Sequence, residues 1–172
     1  MNQMFVAGIG LEGKSGQPLV LLNDQLGQRV VPIAIGLNEA KTISKAMQGV
    51  RSKRPDTHEL LKDCVSAFGF EAHHVFIDCG PGDTYAATIA LMPAQGKLDD
   101  QVLEFDARPS DAITVALMYD APIMMSDQIL KRSSVALVDE NQDIAEFKDF
   151  VQNVKASDFN KFSGTEGQSA TE

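Results

Sequence analysis

Two Arg-Pro corners constrain this chain more than any other feature: Arg54-Pro55-Asp56-Thr57-His58-Glu59 and Asp106-Ala107-Arg108-Pro109-Ser110-Asp111, each followed at once by apolar residues at helical spacing. Proline suits a first helical turn, where no intrahelical bond needs its missing N–H, and Ser, Thr or Asp beside it can cap the free amides. Both hexapeptides therefore predict a helix start that carries an arginine. Such a start presents unpaired N–H groups and a partial positive charge, and an adjacent guanidinium can grip a phosphate or carboxylate bidentately. A cation at the positive end of a helix is itself disfavoured, so Arg54 and Arg108 each ask for an anion. Two sources satisfy that demand: the protein's own Glu39, Asp56, Asp106 and Asp111, or a bound substrate.

Around these corners the hydrophobic pattern defines a fold class. Phe5 to Leu11, Pro18 to Leu22 and Arg29 to Ile35 read as strands joined by turn-rich segments. Beyond Gly36 the period becomes helical, with Ala40, Ile43, Met47 and Val50 on one face, Asn38 as N-cap, and Lys41 and Lys45 on the opposite, wet face. A second helix is expected from Thr57 to about Phe68, its stripe formed by Leu60, Leu61, Cys64, Val65 and Phe68, with Asp56 or Thr57 and Glu59 forming a capping box. Strands follow at His74 to Asp78, Thr84 to Met92 and Val102 to Asp106. The third helix, Pro109 to about Tyr119, is apolar nearly all round and should lie buried at the centre. Pro122 to Met125 reads as a brief strand and Asp127 to Arg132 as a turn of helix. Strands in meanders, interrupted by helices, predict an α+β domain with a mostly antiparallel sheet. Residues 1–135 form the expected domain, 136–156 an amphipathic helix on Ile144, Phe147, Val151 and Val154, and 157–172 a polar, disordered tail.

Composition narrows the partners. A 172-residue chain that is 44 % hydrophobic can fill a core, but its net charge of −9 repels polyanions, so nucleic-acid binding requires a local basic patch. One exists from Lys41 through Lys45, Arg51 and Lys53 to Arg54, with no acid between them. Cys64 and Cys79 lack zinc-like spacing and suggest no disulfide framework, which fits a reducing cytoplasm, with Cys64 packed in the core. No segment is long and apolar enough for a bilayer span. GxGxxG and GxxxxGK[ST] patterns are missing, which argues against nucleotide-cofactor chemistry.

The candidate chemistry clusters at the corners. Glu104, Asp106 and Asp111 lie near one helix start, and carboxylates so placed can hold Mg²⁺ or Mn²⁺ for phosphodiester cleavage. His58, just inside the other helix start, is a candidate for proton transfer. His73 and His74 are consecutive on a strand and so are expected on opposite faces. Thr57 and Ser110 are read as capping residues rather than nucleophiles.

The ordered set Ile33-Ala34-Ile35-Gly36 with Glu39-Ala40, the two corners, and Ala121-Pro122-Ile123 resembles the bifunctional nuclease domain family, including its bacterial members, over roughly Met4 to Arg132. Thr57-His58-Glu59 departs from that family's Thr-His-Asp by one methylene. The resemblance implies an α+β, oligomeric protein, here a homodimer, that cuts RNA and DNA. Corners and resemblance together give the working expectation of a metal-assisted nuclease acting on RNA or single-stranded DNA. His58, Glu59, Arg54, Arg108 and Asp111 are its catalytic candidates. Lys41, Lys45, Arg51, Lys53, Thr57 and Ser110 are candidates for binding substrate, and Asp106, Asp111 and Glu39 for holding Mg²⁺ or Mn²⁺. The alternative is a non-catalytic, homo-oligomeric binding or regulatory module whose arginine–carboxylate networks are structural.

Overall fold

A computed structural model describes residues 1–13, 15–82, 84–94 and 102–136. The expected C-terminal helix and tail lie outside the described residues. Three strands, β1 (Asn2–Leu11), β2 (Pro18–Asp24) and β3 (Arg29–Ala34), are followed by helices α1 (Leu37–Met47) and α2 (Thr57–Ala67). Then come β4 (Phe70–Cys79), β5 (Tyr85–Pro93), β6 (Leu103–Ala107), α3 (Pro109–Tyr119), β7 (Ile123–Met125), α4 (Asp127–Ser133) and β8 (Val135–Ala136). The class is α+β, as expected.

All strands join one sheet in the order β6-β5-β4-β7-β1-β2-β3-β8. It consists of two antiparallel meanders, β1-β2-β3 and β4-β5-β6, linked through β7. That three-residue strand runs antiparallel to β1, with Met4 opposite Ile123, and parallel to β4, with Val75 opposite Ile123. Val20, Leu22, Val31, Val75, Ile77, Ile113, Met125 and Ile129 are fully or almost fully buried in the core between sheet and helices. Burial of each such side chain stabilises the fold by about 1.5–3 kcal/mol.

Helix α3 is central as its composition predicts: Ala112, Ile113, Thr114, Val115 and Ala116 are all buried, and the helix packs on α1, α2, β4 and β5. It ends at Asp120, whose left-handed backbone (φ 54°) turns the chain toward β7. Helix α1 is capped by Gly36 rather than Asn38, and only Ala40, Ile43 and Ser44 are buried on it. Met47 and Val50, expected on the apolar stripe, are exposed.

Helix α2 leaves most of its expected stripe outside the core, with only Val65 of that stripe packed against it, partly buried. Its one buried residue is Glu59, while Leu60, Leu61, Cys64 and Phe68 are exposed, Phe68 to 80 %. Cys64 is therefore a surface thiol and not core packing. Polar latches instead hold α2 to α3. The Lys62 ammonium donates to the Met118 carbonyl at the C-terminal end of α3 and lies over the Tyr119 ring, while the Tyr119 hydroxyl donates to the Lys62 carbonyl at 2.9 Å. A cation there complements the negative end of the α3 dipole.

The histidine pair also departs from the simple alternation. The β4–β5 register shifts between Ala72 and His74, a bulge that swings consecutive side chains toward each other. The Nδ1 atoms of His73 and His74 consequently lie 2.9 Å apart with edge-to-face rings.

Candidate active site

The second corner gathers side chains from three helices. Pro109 is the first residue of α3 and Arg108 its N-cap, with no side-chain cap hydrogen bond; Ser110, expected to cap, is instead a buried residue of the first turn. The Arg108 guanidinium turns back along the helix, donating through Nε to Asp111 Oδ2 at 2.7 Å and through Nη2 to Oδ1 at 3.0 Å. Its Nη1 donates to Glu39 Oε1 of α1 at 3.0 Å. The anion demanded by this arginine is thus supplied from within. Three of the five guanidinium N–H donors are used in these bonds.

Asp111 is shared with a third helix, because its Oδ1 also lies 3.1 Å from Nε2 of His58 on α2. Burial would raise the Asp111 pKa, but hydrogen bonds from Arg108 and His58 and the positive charge of Arg108 outweigh it, so the carboxyl lies below its ordinary value. An ionised carboxylate only accepts, which makes His58 Nε2 the donor and leaves Nδ1 of the neutral ring with a lone pair. The same contacts, Asp111 first and Glu39 with it, raise the Arg108 pKa further above its already high value. A histidine oriented by a carboxylate, beside an arginine, is an arrangement that can accept a proton and stabilise a nearby anion.

At the first corner the capping box forms as expected: Asp56 Oδ1 accepts from the Glu59 amide at 3.1 Å and Glu59 Oε2 from the Asp56 amide at 2.9 Å. The cation there is Lys45 and not Arg54. Its ammonium lies 2.6 Å from Asp56 Oδ2 and 3.1 Å from Glu59 Oε1, while Glu59 also accepts from the Ser52 amide at 3.0 Å. Hydrogen bonds from the Asp56 and Ser52 amides chiefly lower the Glu59 pKa, aided by Lys45. For Asp56, burial opposes the shift but Lys45 and the Glu59 amide prevail, again downward. For Lys45 burial is likewise overcome by Asp56 and Glu59, and its pKa rises. Lys45 and Glu59 are thus committed to structure rather than facing solvent.

Of the other candidates, Arg51 pairs with Asp63 at 2.7 Å on the surface. Arg54 and Lys53 are exposed, and they, like Lys41, make no ion pair or side-chain hydrogen bond among the described residues. The two arginines therefore do not share one centre: Arg108 is built into a network and Arg54 is not. Asp106 and Glu104 are exposed on β6, opposite Thr88 and Ala90 of β5. Among the described residues no three His, Cys, Asp or Glu side chains are grouped so as to hold a metal ion. Glu39 and Asp111 instead meet at Arg108. The guanidinium thus supplies the positive charge between these two carboxylates.

The corner opens into a groove of about 730 Å³ between α2, α3 and the β5–β6 edge. Thr57, His58, Asp106, Arg108 and Asp111 stand at its polar part, and Leu61, Val65, Ile89, Leu91, Phe105 and Val115 give it apolar walls. The sequence offered no direct sign of this groove, since Leu61 and Val65 share the helical spacing of core residues. On the other side of Arg108 a cleft of about 500 Å³ is lined by Gln17, Glu39, Thr84, Tyr85 and Ser110 together with Ile33 to Gly36.

Residues 20–138 match the model of the bifunctional nuclease domain. Uncharacterised proteins from two strains of Mycobacterium tuberculosis are 32 % identical over 170 residues, spanning 92 % of this chain and 98 % of theirs. Bifunctional nuclease 2 of Arabidopsis thaliana is 26 % identical over 113 residues, which is 66 % of this chain and 34 % of that protein. Bifunctional nuclease 1 of the same plant is 23 % identical over 126 residues, 73 % of this chain and 38 % of that protein. The sequence motifs, the α+β sheet and these matches agree: this chain belongs to the bifunctional nuclease domain family.

Proposed function

We propose that this protein is a nuclease that hydrolyses phosphodiester bonds of RNA or single-stranded DNA at the His58–Asp111–Arg108 corner. The observation that supports it best is the oriented imidazole: Asp111 holds Nε2 at 3.1 Å, leaving Nδ1 as the basic atom beside an open groove. In this reading His58 takes a proton from attacking water, and Arg108 offers its remaining N–H donors to the phosphate. Thr57, at the N-terminus of α2, and exposed Lys53 and Arg54 lie beside the path of the strand, with Lys41 and Arg51 at its periphery. Glu59 and Lys45 act by fixing the start of α2, and so the position of His58. Ser110 lies in the adjoining cleft. If Mg²⁺ or Mn²⁺ takes part, Asp106 with Asp111 or Glu39 would be the residues to hold it, and the ion would offset charge on the phosphoryl oxygens.

The test is cleavage of labelled RNA and single-stranded DNA by metal-stripped protein before and after addition of Mg²⁺ or Mn²⁺. His58→Ala and Arg108→Ala should each lower the rate by about 100-fold or more. Equal cleavage by the double variant would trace the activity to a contaminant.

One observation favours a second reading, a homo-oligomeric binding module without catalysis: α2 and its C-cap Phe68 leave Leu60, Leu61, Cys64 and Phe68 exposed. Exposed apolar clusters of this kind mark contact surfaces. Cleavage by neither substrate assay, together with self-association of the intact protein, would select it.

A further inference from the structure

The nuclease reading leaves open how a strand would lie, and an inference resting on that reading follows from the position of Arg108 between two unlike cavities. The groove on one side is walled by Leu61, Val65, Ile89 and Phe105, whereas the cleft on the other presents Gln17, Thr84 and Tyr85. Phe105 sits on edge strand β6 with half of its surface open, although it lines the groove. The groove is within the roughly 300–1,000 Å³ typical of small-ligand sites and so suits a planar base rather than a helix of nucleic acid.

We propose that the substrate is a single strand of at least two nucleotides lying across Arg108, one base seated in the apolar groove against Phe105 and the adjoining nucleotide in the less apolar cleft beyond it. The bridging phosphate then meets the two guanidinium N–H groups not used by Asp111 and Glu39. Lys53 and Arg54, unpaired among the described residues, stand just ahead of Thr57 at the groove and complement the strand's next phosphates. Their presence offsets the carboxylates Glu39, Asp106 and Asp111 around the corner. A base buried in this way needs only its π-face and apolar cover, so the groove accepts different bases. Bases within a duplex are already stacked and must be extruded to reach it, which makes Phe105 the residue that selects single strands.

The experiment measures equilibrium binding of fluorescent single-stranded oligonucleotides, from mononucleotide to octanucleotide, and of a blunt duplex, by anisotropy with Ca²⁺ present. Expected are a sharp gain from mononucleotide to dinucleotide and at least tenfold weaker duplex binding. Phe105→Ala should lose about five- to 150-fold in affinity for single strands, with Phe105→Trp close to the parent. Equal affinity for duplex, or unchanged affinity in Phe105→Ala, would overturn the proposal. Cleavage of an oligodeoxynucleotide built wholly of abasic tetrahydrofuran sites, which has phosphodiesters but no planar ring, separates this from the nuclease reading. Phe105→Ala should retain it while losing cleavage of base-bearing oligonucleotides, and equal retention of both would overturn the groove assignment. If the parent hydrolyses neither substrate the nuclease reading fails, and the binding measurements still decide the groove.

Discussion

His58 Nε2 and Asp111 Oδ1 stand 3.1 Å apart although 53 residues separate them, so the first turns of α2 and α3 are joined at the point where each begins. Asp111→Asn keeps the shape of that contact but removes the charge that fixes the imidazole and binds Arg108 bidentately. Its expected effect is a loss of about 100-fold or more in cleavage with native circular dichroism. Because the Arg108 side chain is 65 % exposed, solvent takes up most of the electrostatic loss, and the cost in stability should stay near 1 kcal/mol.

Lys45 and Arg54 should separate cleanly in a thermal melt. Lys45→Ala strands Glu59, the buried residue of α2, and also Asp56, so the midpoint should fall by about 5 °C or more. Arg54→Ala removes an exposed side chain without an ion pair among the described residues, and should move the midpoint by about 1 °C or less.

The acid side of the stability profile follows from the lowered carboxylates. Asp56, Glu59 and Asp111 all titrate below their ordinary values in the folded chain, so the unfolded chain binds more protons as pH falls. Their stabilisation is complete above the unfolded carboxyl range, about pH 5, and is lost progressively below about pH 4. Urea unfolding should show a midpoint that is level from pH 5 to 7 and declines below it. A flat midpoint down to pH 3 would contradict the ion-pair assignments.

Gly36 lies where a side chain would disturb the corner from a distance. A Cβ built there would be 2.3 Å from Glu39 Oε2, and Glu39 is pinned by its bond to Arg108. Gly36→Ala should push Glu39 off Arg108 and lower activity by several-fold with little loss of helix content. A Gly36→Ala, Glu39→Ala double variant should show no further loss beyond Glu39→Ala alone, which a double-mutant cycle would measure.

The bare leucines of α2 predict self-association. Leu60→Glu combined with Phe68→Glu alters two strongly exposed positions and should preserve the fold. Sedimentation or light scattering should report a homodimer for the parent and a monomer for the variant.

Much of the chain was legible because its local signals were mutually consistent. Strand patterns bounded by Gly, the Pro at each helix start, and the Asp56–Glu59 capping box each encode structure over a few residues. Contacts settled by tertiary geometry were not. Arg54 was the expected cation of the first corner and Lys45 was expected on a wet face, and only the packing of α1 beside α2 brings Lys45 to Glu59. The stripe on α2 has the spacing of a core face, yet latches from Lys62 and Tyr119 hold the helix so that its leucines stay outside. One extra residue in the β4 ladder reversed the expected separation of His73 and His74, and no periodicity argument sees a bulge. At the site, Arg108 and Asp111 were legible from their helix start, whereas the groove depends on how α2 sits against α3 and the β5–β6 edge.

Strand β7 gives the molecule an all-or-nothing character. Helix α3 begins at Arg108 and Asp111 and leads, through Asp120, directly into the three residues that hold the two meanders side by side. Neither half of the polypeptide can possess the corner by itself, since the segment that supplies it is also the keystone between them. Competence at this corner should consequently arise late in folding and vanish with the first cooperative opening of the sheet, leaving no partly unfolded form that retains a working site.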